Sequence, residues 1–275
     1  MKTIQDSRKK ASGFGLVELL VVIAIIAVIS ALGLAGFTKA KEAARMAKEV
    51  AAARTQMTAY LSYASDHNGR LLPGIDSSVR AEDRRGMSYS GMIAKRYPAR
   101  LAPALNWEFE GSVCVNQSEE WADNFYMASV FPAFGINATF VGGWFDEREP
   151  DPDRDADKYG HFCIRTLLQA DSAGEQLVFA SAWMSAGVKG METKEGHYYV
   201  LSPNLGQRRW GQKYDEDDAS VKWGYVHPRY GNRAVAAFLD GGVRMLGVSD
   251  LQDMRYWAKG ARQSNDPNWV LVPKE

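Results

Sequence analysis

An apolar run that carries no charge from Leu19 to Phe37, with a single carboxylate at its head in Glu18, constrains this chain more than any other feature. A helix rises about 1.5 Å per residue, so a run of this length covers the roughly 30 Å hydrocarbon core of a bilayer. The expectation is a helix beginning at Phe14, with 14–37 as a transmembrane segment. Residues 1–13 are polar and basic, with Lys2, Arg8, Lys9 and Lys10 against Asp6. Basic flanks favour the cytoplasmic side, but Lys39, Lys41, Arg45 and Lys48 against Glu42 and Glu49 offset most of that asymmetry beyond the run.

Three readings of this segment compete. A secretory signal peptide has a shorter apolar region and then a small-residue cleavage site. Ala27, Ser30 and Ala31 mimic such a site, yet the apolar run continues past them. A plain membrane anchor explains the length but not Glu18. A carboxylate at the bilayer centre costs about 2.5–3.5 kcal/mol, and less near an interface, so it asks for a partner.

The third reading supplies one. Gly13-Phe14-Gly15-Leu16-Val17-Glu18-Leu19-Leu20-Val21-Val22-Ile23-Ala24 closely resembles the leader junction of type IV prepilins and type II secretion pseudopilins. The resemblance implies cleavage after Gly13 by a prepilin peptidase, N-methylation of Phe14, and a leader spanning 1–13. It also implies that Glu18 pairs with the N-terminal amine of a neighbouring subunit. Opposite charges in an apolar helical core would relieve each other's desolvation. The implied partners are the peptidase, other pilin or pseudopilin subunits, the inner membrane and the assembly machinery. The implied location is single-pass in the inner membrane before assembly, then in a filament with the globular part periplasmic or extracellular. The segment departs from many type IV pilins in lacking a proline; it has Gly33 and Gly36 instead.

Thr38 to about Ala64 is rich in Ala, Lys, Glu, Arg and Met, all strong helix formers. Ala43, Met46, Ala47, Val50, Ala53, Met57, Tyr60 and Leu61 recur at three- and four-residue steps and form one apolar face. One helix over 14–65 follows, its first part apolar throughout and its second part amphipathic. His67-Asn68-Gly69 supplies C-cap chemistry and Pro73 prevents continuation.

From 66 to 275 the pattern breaks into short apolar runs between Gly, Pro, Asn and Asp, as expected of one globular domain. Candidate strands are Gly111–Asn116, Gln176–Ala182, His197–Leu201, Ala234–Leu239 and Val243–Gly247. The last two flank Asp240-Gly241-Gly242 and read as a hairpin. Met87–Tyr97 and Ser249–Ala258 read as helices, the latter capped by Ser249 or Asp250. The fold class expected is α+β: a long N-terminal helix packed on an antiparallel sheet. His227, a spacer, and Asp240-Gly241 resemble the C-terminal signature of a prepilin-like family, although the Pro228–Leu239 spacer is longer than that family's. Phe134-Gly135-Ile136-Asn137 resembles another element of the same family.

The chemistry-bearing residues are few. Cys114 and Cys163 are the only thiols, and in an exported domain an even count permits one disulfide. Asp151, Asp153, Asp155 and Asp157 alternate and could offer oxygens to calcium, but the loop lacks the glycine and closing glutamate of an EF-hand. The histidines His67, His161, His197 and His227 are isolated, and no nucleophile–base spacing, P-loop or dinucleotide fingerprint is present. No cofactor and no catalysis are expected. A formal net charge of zero gives no nucleic-acid footprint. Assembly as a structural subunit is the leading reading; a single-pass membrane-anchored, ligand-binding protein is the alternative.

Overall fold

The computed structural model describes residues 15–116, 119–146, 150–185, 194–206 and 208–274; the side chains of 31–36, 119–120, 194 and 208–209 are outside the description. The protein mixes helix and antiparallel sheet. Helix α1 is Leu16–Asp66, and the chain divides into two compact units, Met1–Ala44 and Arg45–Glu275.

In the first unit the described apolar side chains from Leu16 to Ile29 are all exposed, Leu16 at 79% and Ile29 at 63%. Among the described residues no helix is long and apolar enough to cross a membrane. The span expected over 14–37 is therefore not found there; Phe14 and the side chains of 31–36 lie outside the description.

The second unit is built on a four-stranded sheet: β1 (Phe134–Ile136), β2 (Leu177–Ser181), β3 (Arg233–Phe238) and β4 (Val243–Gly247). Its order is β4-β3-β2-β1, every pair antiparallel. Strand β3 alternates cleanly between two cores. Val235 and Ala237 face one core with Ala52, Ala53, Met57, Tyr60 and Ala64 of α1. Ala234, Ala236 and Phe238 face the other, with Leu251, Met254, Trp257 and Ala261 from the C-terminal segment of short helices and their connections. The period of two puts successive side chains on opposite faces, so one apolar strand serves both layers.

The amphipathic half of α1 buries a stripe that starts at Glu49 and runs through Ala52, Ala53, Gln56, Met57, Ala59, Tyr60 and Ala64. Ala43 and Ala47, expected on the apolar face, are exposed. The stripe is thus shifted and contains two polar residues. Tyr60 meets the edge of Phe179 at 5.4 Å, and its hydroxyl donates to Leu72 O at 3.1 Å. Gln56 Nε2 donates to Tyr97 Oη, which donates to Phe134 O at 2.7 Å.

The helix ends as its residues dictate. Gly69 N–H donates to Ala64 O at 2.7 Å, with Asn68 at φ 56° and Gly69 at φ 79°, the left-handed conformations that Asn and Gly tolerate. The Asp240-Gly241 turn forms the expected hairpin between β3 and β4. Other expectations fail. Residues 111–116 form turns, 197–201 make only an isolated bridge at Tyr199, and 87–97 contain the strand Ser88–Tyr89 and turns rather than a helix. Val113, Cys114, Val200 and Leu201 of these runs fill gaps in the two cores, whereas over 87–97 Met87 and Met92 are exposed and Ala94 packs in a small separate cluster with Ala81 and Ala99. The helix expected over 249–258 is two short pieces, Val248–Leu251 and Met254–Tyr256. Asp250 serves the first, accepting from Gly247 N–H at 3.1 Å.

Candidate functional site

The described chain begins one residue after Phe14, so Gly13 and Phe14 lie outside the described residues. Glu18 is within them. Its Oε2 accepts from Gly15 N–H at 2.8 Å, and Leu19 N–H closes the first helical turn on Gly15 O at 3.1 Å. The first amides of a helix have no intrahelical acceptor, and a carboxylate there satisfies one and complements the helix dipole. Glu18 therefore caps the N-terminal end of α1 at Gly15, the position that follows Phe14.

A second carboxylate on α1 went unnoticed in the sequence. Glu49 is completely buried. Its Oε1 accepts from Ser181 Oγ at 2.5 Å and its Oε2 from Tyr230 Oη at 2.5 Å. Arg229 Nη1 lies 3.7 Å from Oε2, and Arg229 Nη2 donates to Ala182 O at 2.6 Å. Arg229 also faces Glu195 at 3.9 Å, and Glu195 pairs with Arg45 at 3.1 Å. Ser181 ends β2, and its Oγ accepts from Val235 N–H of β3 at 2.9 Å. One α1 side chain is thus hydrogen-bonded into the two central strands. Burial, and then the Glu49 charge, push the Tyr230 hydroxyl well above its ordinary range, so it stays a donor. This network fixes the rotation and register of α1 on the sheet, because a one-residue slip strands a buried charge. The sequence signal was a Glu on the buried stripe, one turn before Ala53.

The C-terminal signature residues do not meet. His227 N–H donates to Ser181 O, at one end of β2. Asp240 turns the hairpin at the other end: its Oδ1 accepts from Gly242 N–H at 2.8 Å, Gly241 takes φ 87°, and Leu239 N–H bonds Gln176 O. The His227 ring stacks on Trp183 at 4.6 Å, and burial, with Arg229 and Arg45 nearby, pushes its pKa down to about 2. Phe134-Gly135-Ile136 is strand β1, and a side chain at Gly135 would come within 2.5 Å of the Tyr199 carbonyl carbon. Asn137 is buried, donating to Leu177 O and Trp257 O and so tying the sheet to the C-terminal layer.

The structure places two further sets of sequence candidates. Cys114 and Cys163 are free and buried, in different cores. Burial pushes both thiols up, Cys114 to about 12. The calcium candidates turn inward on their own loop. Asp151 Oδ1 accepts from the amides of Asp153 and Arg154, Asp155 Oδ2 from Asp151 N–H and Arg154, and Asp153 pairs with Arg165. Neither Asp157 nor any other residue completes a cage: among the described residues no group of three His, Cys, Asp or Glu could hold a metal ion.

Residues 8–34 match the prokaryotic N-terminal methylation motif, the prepilin-type cleavage and methylation signal of type IV pilin-like proteins. That motif implies, in general terms, processing by a prepilin peptidase and assembly with other pilin subunits. No curated protein and no solved structure matches the chain.

Proposed function

We propose that the protein is a structural subunit of a type IV pilus or type II secretion pseudopilus, without catalytic activity of its own. In this reading it is cut after Gly13, methylated at Phe14, and assembled through the first half of α1. The observation that carries the proposal is the methylation motif over 8–34 with Glu18 seated in the first turn of the helix that the motif opens. Cleavage would free the Phe14 amine within one helical turn of the carboxylate, which then serves the amine of a neighbouring subunit. The exposed apolar side chains Leu16 to Ile29 need a non-aqueous surrounding, and a membrane followed by a bundle of like helices supplies one. The globular unit would be carried outside the inner membrane.

The test is an N-terminal peptide from protein purified out of its native membrane or surface fraction, read by mass spectrometry. A chain beginning at N-methylated Phe14 is the expected result. A chain that retains residues 1–13 with its apolar segment intact overturns the filament reading and favours a membrane-anchored binding protein.

A further inference from the structure

A buried cationic cluster outside both sites has no evident role in assembly. Arg96 is 3% exposed, His197 4% and Trp144 4%. They are neighbours by backbone and by ring contact. Ile75 is paired with Trp144 on one side and bridged to Arg96 on the other. The His197 ring stacks on Tyr225 at 4.2 Å and meets Tyr199 at 4.4 Å; Tyr199 in turn meets Trp144 edge-on at 4.8 Å. The Arg96 guanidinium stands 4.9 Å from the ring centre of Tyr198, the residue after His197, and 5.6 Å from that of Tyr126.

Four polar atoms of this cluster are buried with no hydrogen-bond partner: Arg96 Nε, Trp144 Nε1 and both ring nitrogens of His197. Arg96 Nη1 reaches only Ser129 Oγ, at 3.2 Å, and no carboxylate pairs with it among the described residues. Asp146, which follows Trp144 and Phe145, is taken by Lys95 at 3.5 Å. The Arg96 guanidinium is thus a buried cationic group that meets no carboxylate among the described residues. His197 is a neutral donor–acceptor: burial, and then Arg96, push its pKa down to about 3. The ring is also held in place. His197 N–H bonds Pro132 O at 2.9 Å, and Gly196, at φ 120°, packs so closely that a Cβ would lie 2.4 Å from Phe131 O.

We propose that Arg96, Trp144 and His197 form an enclosed site for a small inorganic anion of the halide class. Arg96 Nε, Trp144 Nε1 and one ring nitrogen of His197 can donate, beside a guanidinium with no carboxylate partner among the described residues, and that combination complements an anion. Buried polar groups are ordinarily satisfied, and each exception asks for an ion or a water. Water would satisfy hydrogen bonds but leave the Arg96 charge without a counter-ion. The tyrosine rings and the near-complete burial of all three residues exclude a polymer or a large organic acid.

The full chain, solubilised in detergent, is unfolded thermally in sodium chloride and in sodium gluconate at equal ionic strength. The expected result is a saturable rise in Tm with chloride or bromide and none with gluconate. Arg96→Met abolishes the halide-dependent rise. Trp144→Phe and His197→Phe, which keep an aromatic ring, raise the half-saturating halide concentration several-fold and serve where Arg96→Met fails to fold. Superimposable wild-type melting curves in chloride and gluconate overturn the proposal and assign the cluster to water.

Discussion

The two halves of α1 are continuous in backbone and opposite in design. From Leu16 to Ile29 the helix is apolar on every side, and its described side chains are exposed all round. From Arg45 to Asp66 it has a buried stripe and an exposed one, and the buried stripe includes a charge, Glu49. Each half carries one carboxylate that matters. Glu18 is exposed and, among the described residues, bonds to Gly15 at its own helix terminus; Glu49 is enclosed and bonded to residues far along the chain. An all-apolar helix is complete only with partners outside the chain, whereas an amphipathic helix is completed by its own fold. The lesson is that a carboxylate at a helix terminus is satisfied locally, whereas a carboxylate on a buried stripe is satisfied by tertiary structure.

The largest effect sharpens that difference. Glu18→Val should abolish recovery of filaments from the cell surface while leaving the unfolding midpoint of the globular unit unchanged. A filament yield equal to wild type would remove Glu18 from assembly and leave it a helix cap alone. Glu49→Ala should do the reverse on stability, costing about 3–5 kcal/mol in denaturant unfolding, because Ser181, Tyr230 and Arg229 lose a buried common acceptor. A cost under about 1 kcal/mol would mean that the network is wetter than its geometry implies. Glu49→Gln, which keeps two acceptor or donor positions, should cost less than Glu49→Ala.

Acid should act on the globular unit alone. His197 is neutral in the fold, with a pKa near 3 against about 6.5 when unfolded. Its stabilisation is complete above about pH 6.5. It is lost as pH falls toward 3, at up to about 1.4 kcal/mol per pH unit, because the unfolded chain takes up the proton first. His227 acts in the same direction. His197→Phe should flatten the pH dependence of the unfolding midpoint between pH 6 and 4; an unchanged slope would show that carboxylates alone set it. Smallest of all, Glu42→Ala on the exposed face of α1 should move stability by no more than about 0.5 kcal/mol, the scale of an exposed site without buried partners.

Much was legible without coordinates. The helix start beside Glu18, the helix end at His67-Asn68-Gly69 and the Asp240-Gly241 hairpin are local chemistry: a first-turn carboxylate, a left-handed Asn-Gly pair, a turn between apolar runs. Strand β2 was also visible as an uninterrupted apolar run. The failures share one cause. Residues 111–116 and 197–201 carry apolar side chains that fill irregular gaps, while 87–97 leaves Met87 and Met92 exposed, and apolarity without long-range pairing does not define a strand or helix. The Glu49 network was hidden because its partners Ser181, Tyr230 and Arg229 lie more than a hundred positions away, and a lone Glu in an Ala- and Lys-rich helix reads as solvated. His227 and Asp240 resemble one family signature in sequence, yet the fold places them at opposite ends of β2.

The sequence by itself determined the methylation motif, the position of its carboxylate and the change from an all-apolar to an amphipathic helix, because each is written in consecutive residues and read through helix periodicity. Only the tertiary structure decided which face of the second half is buried, that Glu49 is hydrogen-bonded to Ser181 and Tyr230, that the two thiols lie in different cores, and that Arg96 is enclosed beside Tyr126 and Tyr198 with no carboxylate partner among the described residues. Those outcomes depend on which distant strands and loops meet. Contact across a folded sheet is set by the summed packing of both cores, not by any stretch of neighbouring residues.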